Sequence, residues 1–242
     1  LALRSVCALL HWPLPALQAL TPTLMRVVFG VLTKAGGTSR TELQQACFRT
    51  VTQVLKNRKH HGMGERDFRV LLSMLQDDMD VPQRQASTFA LLKVIVARRL
   101  VSPELYDTMD RVGQLLFASP RGAVRGQCGR VLFQFLMRYP LGQARLRHHI
   151  NHVLRNLEFP VESGRLAGLS FVEHVVTKFP PALLEEQAQF LFLPLVLRLA
   201  KDASAACRSR AALVLRLLWG RVSLPTARAL VGFALRWFGD AK

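Results

Sequence analysis

The sequence predicts an all-α fold, a HEAT/armadillo-type α-solenoid of about six helix pairs. Three observations predict it. Prolines recur at Pro82, Pro103, Pro120, Pro140, Pro160 and Pro180, at intervals of 21, 17, 20, 20 and 20 residues. Apolar residues between them follow the helical period, and strand-like alternation is absent. Helix pairs grouped from this punctuation begin near Leu1, Thr41, Pro82, Arg121, Glu162 and Ala203, a period of 39 to 41 residues, and helix pairs of that length are the signature of HEAT and armadillo arrays. The expectation is a single solenoid segment over residues 1–242. Its first residue is Leu rather than Met, and the chain opens inside a helical pattern, so it reads as a piece of a longer polypeptide.

Each element follows from local chemistry. Between Ser5 and Met25 no residue carries a full charge, but Pro13, Pro15 and Pro22 interrupt the run and His11 sits inside it, so it does not read as a membrane span. Proline fits the first helical turn and not the interior, and it moves the preceding residue out of the α region, so each proline delimits a helix. Ser102-Pro103-Glu104 shows this grammar: a serine able to cap, proline at the first position, an acid in the first turn. In the fourth pair Val124, Cys128, Val131, Leu132 and Phe135 form one stripe. Leu146, Ile150, Val153, Leu154 and Leu157 form the next, within an arc of about 100°. Pro194 sits inside the apolar run from Phe190 to Leu199, where a kink is expected. Cys7, Cys47, Cys128 and Cys207 fall five to eight places into the first helix of a pair, a column of small packing residues that Ala86 and Ala167 complete. They lack the spacing of zinc ligands, and their sparseness fits a reducing compartment.

Charge carries the functional signal. The chain has 33 Lys plus Arg against 16 Asp plus Glu, a net charge of +17. Half the residues are apolar, ample for a folded core. From Arg111 to Leu157 there are eight arginines, three histidines and no acid, and from Ala203 to Gly239 six more arginines and again no acid. On the helix after Pro140, Arg145, His148, His149, His152 and Arg155 lie opposite the apolar arc. With Arg121 and Arg125 they make the candidate anion-binding surface, suited either to a phosphate backbone or to an acidic peptide. Arg121-Gly122, Arg125-Gly126 and Gly129-Arg130 sit on a helical pattern rather than in a disordered tract. Phe133, Phe135, Phe171, Phe190 and Phe192 look like core, leaving no evident stacking platform and no base-specific reading.

No catalytic constellation is present: no GxSxG, HExxH, GxxxxGK[ST], or GxGxxG after a strand. The paired acids Asp77-Asp78-x-Asp80 and Glu185-Glu186 read as solvated helix edges. His148 and His152 share a helical face one turn apart. Two imidazoles without a carboxylate or thiolate, among Arg145, Arg147 and Arg155, make a poor metal site. His60-His61 reads as part of a basic turn. The sequence therefore assigns no catalytic residue, metal, cofactor, small-molecule substrate or membrane.

Three segments carry a family resemblance: LLSMLQDDMDVPQRQASTFALLKVI from Leu71, QFLMRYPLGQARLRHHINHVLRNLEFPVESGR from Gln134 and FPPALLEEQAQFLFLPLV from Phe179. They resemble the DRIM family of very large HEAT-repeat scaffolds, and the resemblance runs from about Thr41 to Val222. It implies a nucleolar, non-catalytic component of the small-subunit processome, associated with the U3 small nucleolar ribonucleoprotein. Its implied role is in the early cleavages of the small-subunit rRNA precursor, with pre-rRNA or small nucleolar RNA and other processome proteins as partners. A karyopherin-like adaptor gripping peptide cargo is the alternative. Its recurring Trp/Asn pattern on the inner helices is not met by Trp12, Trp219 and Trp237.

Overall fold

Helix starts follow the prolines in the computed structural model, which describes residues 2–12, 14–34, 41–58 and 62–239. Among the described residues there are twelve α-helices and no strand. They are α1 (Ala2–Leu9), α2 (Pro15–Lys34), α3 (Thr41–Asn57), α4 (Glu65–Asp78), α5 (Gln85–Arg98), α6 (Pro103–Ala118), α7 (Gly122–Arg138), α8 (Gln143–Arg155), α9 (Glu162–Lys178), α10 (Pro181–Lys201), α11 (Ala205–Trp219) and α12 (Leu224–Gly239). A 3-10 turn, Asn156–Glu158, follows α8. Pro103 opens α6, and the amide of Glu104 donates to Ser102 Oγ at 3.2 Å, the predicted cap. Pro22 and Pro194 lie inside α2 and α10, which run through them, so Pro22 does not break its helix as expected. His60 and His61 lie outside the described residues.

The chain forms two compact units, residues 1–111 with 138–140, and residues 112–137 with 141–242. In the first unit α3 packs on α1, α2 and α5. Val28, Phe48, Val51, Leu72, Leu92 and Ile95 are each at most 1% exposed. By length and composition α2 could cross a membrane; here Met25, Val28, Phe29 and Leu32 on it are buried. In the second unit α9 packs on α11 and α10 on α8, α11 and α12. First helices α1, α3 and α5 meet in one unit, and in the other α9 meets α11 while second helices α8 and α12 meet α10, the stacking pattern of an α-solenoid.

Two polar devices repeat. An arginine near the start of a first helix fastens the turn before it: Arg125 donates to the Ser119 carbonyl at 2.7 Å, Arg165 to those of Phe159 and Pro160 at 3.0 and 2.9 Å, and Arg208 to those of Asp202 and Ala203 at 2.7 and 3.0 Å. At the other end, a donor reaches back to the last carbonyls of the preceding first helix, where the helix dipole is negative. Arg58 binds the Trp12 carbonyl at 2.9 Å, Arg98 those of Leu55 and Arg58 at 3.0 and 3.2 Å, and Arg221 those of Val176 and Phe179. Tyr139 does the same to Leu100 at 3.1 Å.

The small-residue column differs in one respect. Cys47, Cys128 and Cys207 are fully buried and Cys7 is half-buried, but Ala86 is exposed and Ala167 half-buried. In α9 the close approach belongs to Gly168, where a Cβ would run into the Phe117 ring, and to Gly164, where it would lie 2.6 Å from the Phe117 carbonyl oxygen. A register error of one residue turns a helix by about 100°, enough to exchange an inward position for a lateral one.

Candidate anion-binding surface

The candidate surface lies on α7 and α8 of the second unit. In α7, Val124, Cys128, Val131, Leu132, Phe135 and Leu136 are buried, so Arg121 and Arg130 are left exposed. In α8 the buried set is Leu146, His149, Ile150, Val153 and Leu154. Arg145, Arg147, His148 and Arg155 are exposed along its other side.

His149 is therefore not part of the surface. It is 4% exposed, with its ring edge-on to Phe135 at 5.3 Å. At 100° per residue it falls within about 40° of Val153, on the edge of the apolar arc rather than opposite it. His152 is half-buried: its ring sits 6.4 Å from that of Phe117, and Asn156 donates to its carbonyl at 2.8 Å. Arg125 is half-buried and holds the Ser119 carbonyl. Four residues join α7 to α8, which makes the two antiparallel. The structure thus brings Arg145, His148 and Arg155 together on one helix face and leaves Arg121 and Arg125 in the layer of first helices.

Sequence reasoning passed over Arg130 and Arg147, and it placed Phe190 in the core. Phe190 is 45% exposed, and the Arg147 guanidinium lies 5.4 Å above its ring. Apart from Arg198, the run from Phe190 to Leu199 is apolar on all sides, whereas α10 buries Leu191, Phe192 and Leu195 from it. The signal available was that excess, since a helix at the surface buries one face only. Trp219 is 40% exposed, its ring 5.8 Å from that of Phe192.

Several acids in this unit are paired with other arginines. Arg165 grips Asp202 through Nε at 2.8 Å and Nη2 at 2.9 Å, Arg198 reaches Glu158 at 3.0 Å, and Arg210 reaches Glu173 at 2.6 Å. Burial alone would raise the Asp202 carboxyl, but hydrogen bonds from Arg165 and the Ser204 amide outweigh it and hold the group below the usual carboxylate range. Arg145, His148 and Arg155 are exposed on the basic side of α8, and residues 111 to 157 hold no acid. Beside α7, a cleft of about 610 Å³ opens toward α9, floored by Leu116, Leu166 and Phe171 and edged by Arg125, Arg130 and His174. These groups can attract and position an anion. None is arranged as a nucleophile with its base.

No family model matches the chain. Over 183 residues, 76% of its length, it is 31% identical to U3 small nucleolar RNA-associated protein 20 of Schizosaccharomyces pombe. Over that stretch the chain belongs to that protein's family. The protein of the same name from Saccharomyces cerevisiae is 31% identical over 145 residues, 60% of the chain. The chain spans 7% and 6% of the length of these two relatives. Among solved structures, a crystallised engineered protein superposes with a TM-score of 0.49 at 12% identity, over 91% of this chain and 90% of that one.

Proposed function

We propose that the chain is a non-catalytic scaffold segment in ribosome biogenesis, acting in the nucleolus on the precursor of the small-subunit rRNA within the small-subunit processome. In this reading it holds pre-rRNA or a small nucleolar RNA by its phosphates along Arg145, His148 and Arg155, with Arg121 contributing from the turn just before α7, and binds other processome proteins. The observation that carries the reading is the 31% identity, over 76% of the chain, to a protein named for its association with the U3 small nucleolar RNA. The exposed basic face of α8, inside a stretch without a single acid, supports it. Contacts of this kind position a nucleic acid without reading its sequence.

The test is a salt titration of single-stranded RNA binding. Four to five phosphate contacts at about −0.7 per phosphate give a log-log slope of roughly −3 to −4 between about 50 and 200 mM salt. Arg145→Glu with Arg155→Glu should weaken every RNA sequence alike and flatten the slope by about 1 or more. Both residues are exposed, so folding is expected to survive. Salt-insensitive binding, or a slope the pair leaves untouched, overturns the reading.

A further inference from the structure

A second cleft of about 610 Å³ lies over α8, α10 and α12, with Leu154, Leu157, Phe190, Leu193, Leu197 and Phe233 among the residues that line it. That volume is within the range of about 300 to 1,000 Å³ typical of ligand-sized clefts. Its apolar floor is flanked by two exposed arginines, Arg147 and Arg155. The one acid lining it, Glu158, is already bonded to Arg198 at 3.0 Å, so the uncompensated charge of the rim is positive.

We propose that this groove docks an amphipathic helix of a protein partner, with large apolar anchors on one face and acidic residues beside them. Three features select that occupant, and the proposal goes beyond the RNA reading. First, the groove walls are helices, whose backbone groups bond internally, so an extended peptide would find no row of main-chain partners; a helix brings its own. Second, the floor offers aliphatic and phenyl groups, Leu154, Leu193, Leu197 and Phe233, against which the apolar anchors of a helix at i, i+3, i+4 and i+7 can pack. Third, the Arg147 guanidinium lies over the face of Phe190, the face a nucleobase would need for stacking. Held there, the guanidinium presents its N–H fork to a carboxylate, its best planar partner.

The test titrates the 242-residue chain with two labelled helical peptides that share leucines at i, i+3, i+4 and i+7 and carry flanking glutamates in one and lysines in the other. A labelled oligouridylate is the third probe, and anisotropy the readout. The glutamate peptide is expected to bind about tenfold or more tightly than its lysine twin. Phe190→Ala should weaken it about tenfold without affecting the oligouridylate, and Arg147→Glu should reverse the preference between the twins. Circular dichroism melts of both variants should match the parent. Arg147→Glu, at an exposed position, decides the matter even if Phe190→Ala folds poorly. The proposal is overturned if neither peptide binds, if the twins bind alike, if Arg147→Glu leaves their order unchanged, or if Phe190→Ala weakens oligouridylate instead.

Discussion

Asp202 is 4% exposed and accepts hydrogen bonds from Arg165 Nε at 2.8 Å, Arg165 Nη2 at 2.9 Å and the Ser204 amide at 2.9 Å, with Arg198 at 3.7 Å. Asp202→Ala leaves the Arg165 guanidinium, 12% exposed, without its carboxylate. Removing one member of a buried pair costs about 3–5 kcal/mol. Arg165 keeps the carbonyls of Phe159 and Pro160, which places the loss at the lower end, about 3 kcal/mol. At about 2–4 °C per kcal/mol for a domain of this size, the melting transition of the second unit should fall by about 6–12 °C at neutral pH. Because the folded carboxyl titrates below its ordinary value of 3.8, its stabilisation is present above that value and drains away as pH falls through the lower folded one. Asp202→Asn should therefore melt lower than the parent at pH 7 and converge on it as pH falls through the lowered folded value of the carboxyl. Leucine at both Asp202 and Arg165 should recover only part of the loss, since it removes the orphaned charge but also the Arg165 bonds to the Phe159 and Pro160 carbonyls. Calorimetry across that pH range checks all three. A drop of less than about 2 °C for Asp202→Ala at pH 7, or a difference that persists unchanged in acid, refutes the reasoning.

Gly168→Ala gains about 1 kcal/mol of helix propensity but drives a methyl into the Phe117 ring and Leu157, so a net loss of about 1–2 kcal/mol is expected in urea unfolding, and any gain would contradict the packing. Asp78, 1% exposed, differs from Asp202 in that burial raises its carboxyl despite the Arg84 bond at 2.7 Å. Its ionised form is costly in the folded state, so Asp78→Asn should destabilise less at pH 7 than Asp202→Asn by thermal melting. Cys128→Ala should cost about 1 kcal/mol. Native alkylation should be slow at Cys47, whose burial, aided by Cys7, pushes the thiol up to about 11; rapid labelling there would argue against a closed core.

The helices were legible because proline acts locally: it forbids an interior amide bond and restrains the residue before it, so Pro103 marks a helix start without reference to any neighbour. Side-chain destinations depend on what packs opposite. His149 sits on an arc boundary that period alone cannot resolve, and it goes inward because the Phe135 ring is there to receive it. Phe190 goes outward because α10 holds more apolar residues than its neighbours can cover. Arg125 looked like Arg121 in sequence, but the turn before α7 offers it a carbonyl. The basic stretch was visible as composition; its division between two helix layers was not.

The reach of Arg58, Arg98, Tyr139 and Arg221 to carbonyls at the end of the preceding first helix has a consequence for how such a chain tolerates change. Every residue type presents a main-chain oxygen, so the accepting position places no demand on the side chain it carries. Only the donor is constrained, and a guanidinium and a phenol both serve. Substitutions can therefore accumulate at the receiving helix ends without uncoupling one helix pair from the next, whereas loss of a single donor would release a junction whose accepting residues are all still present.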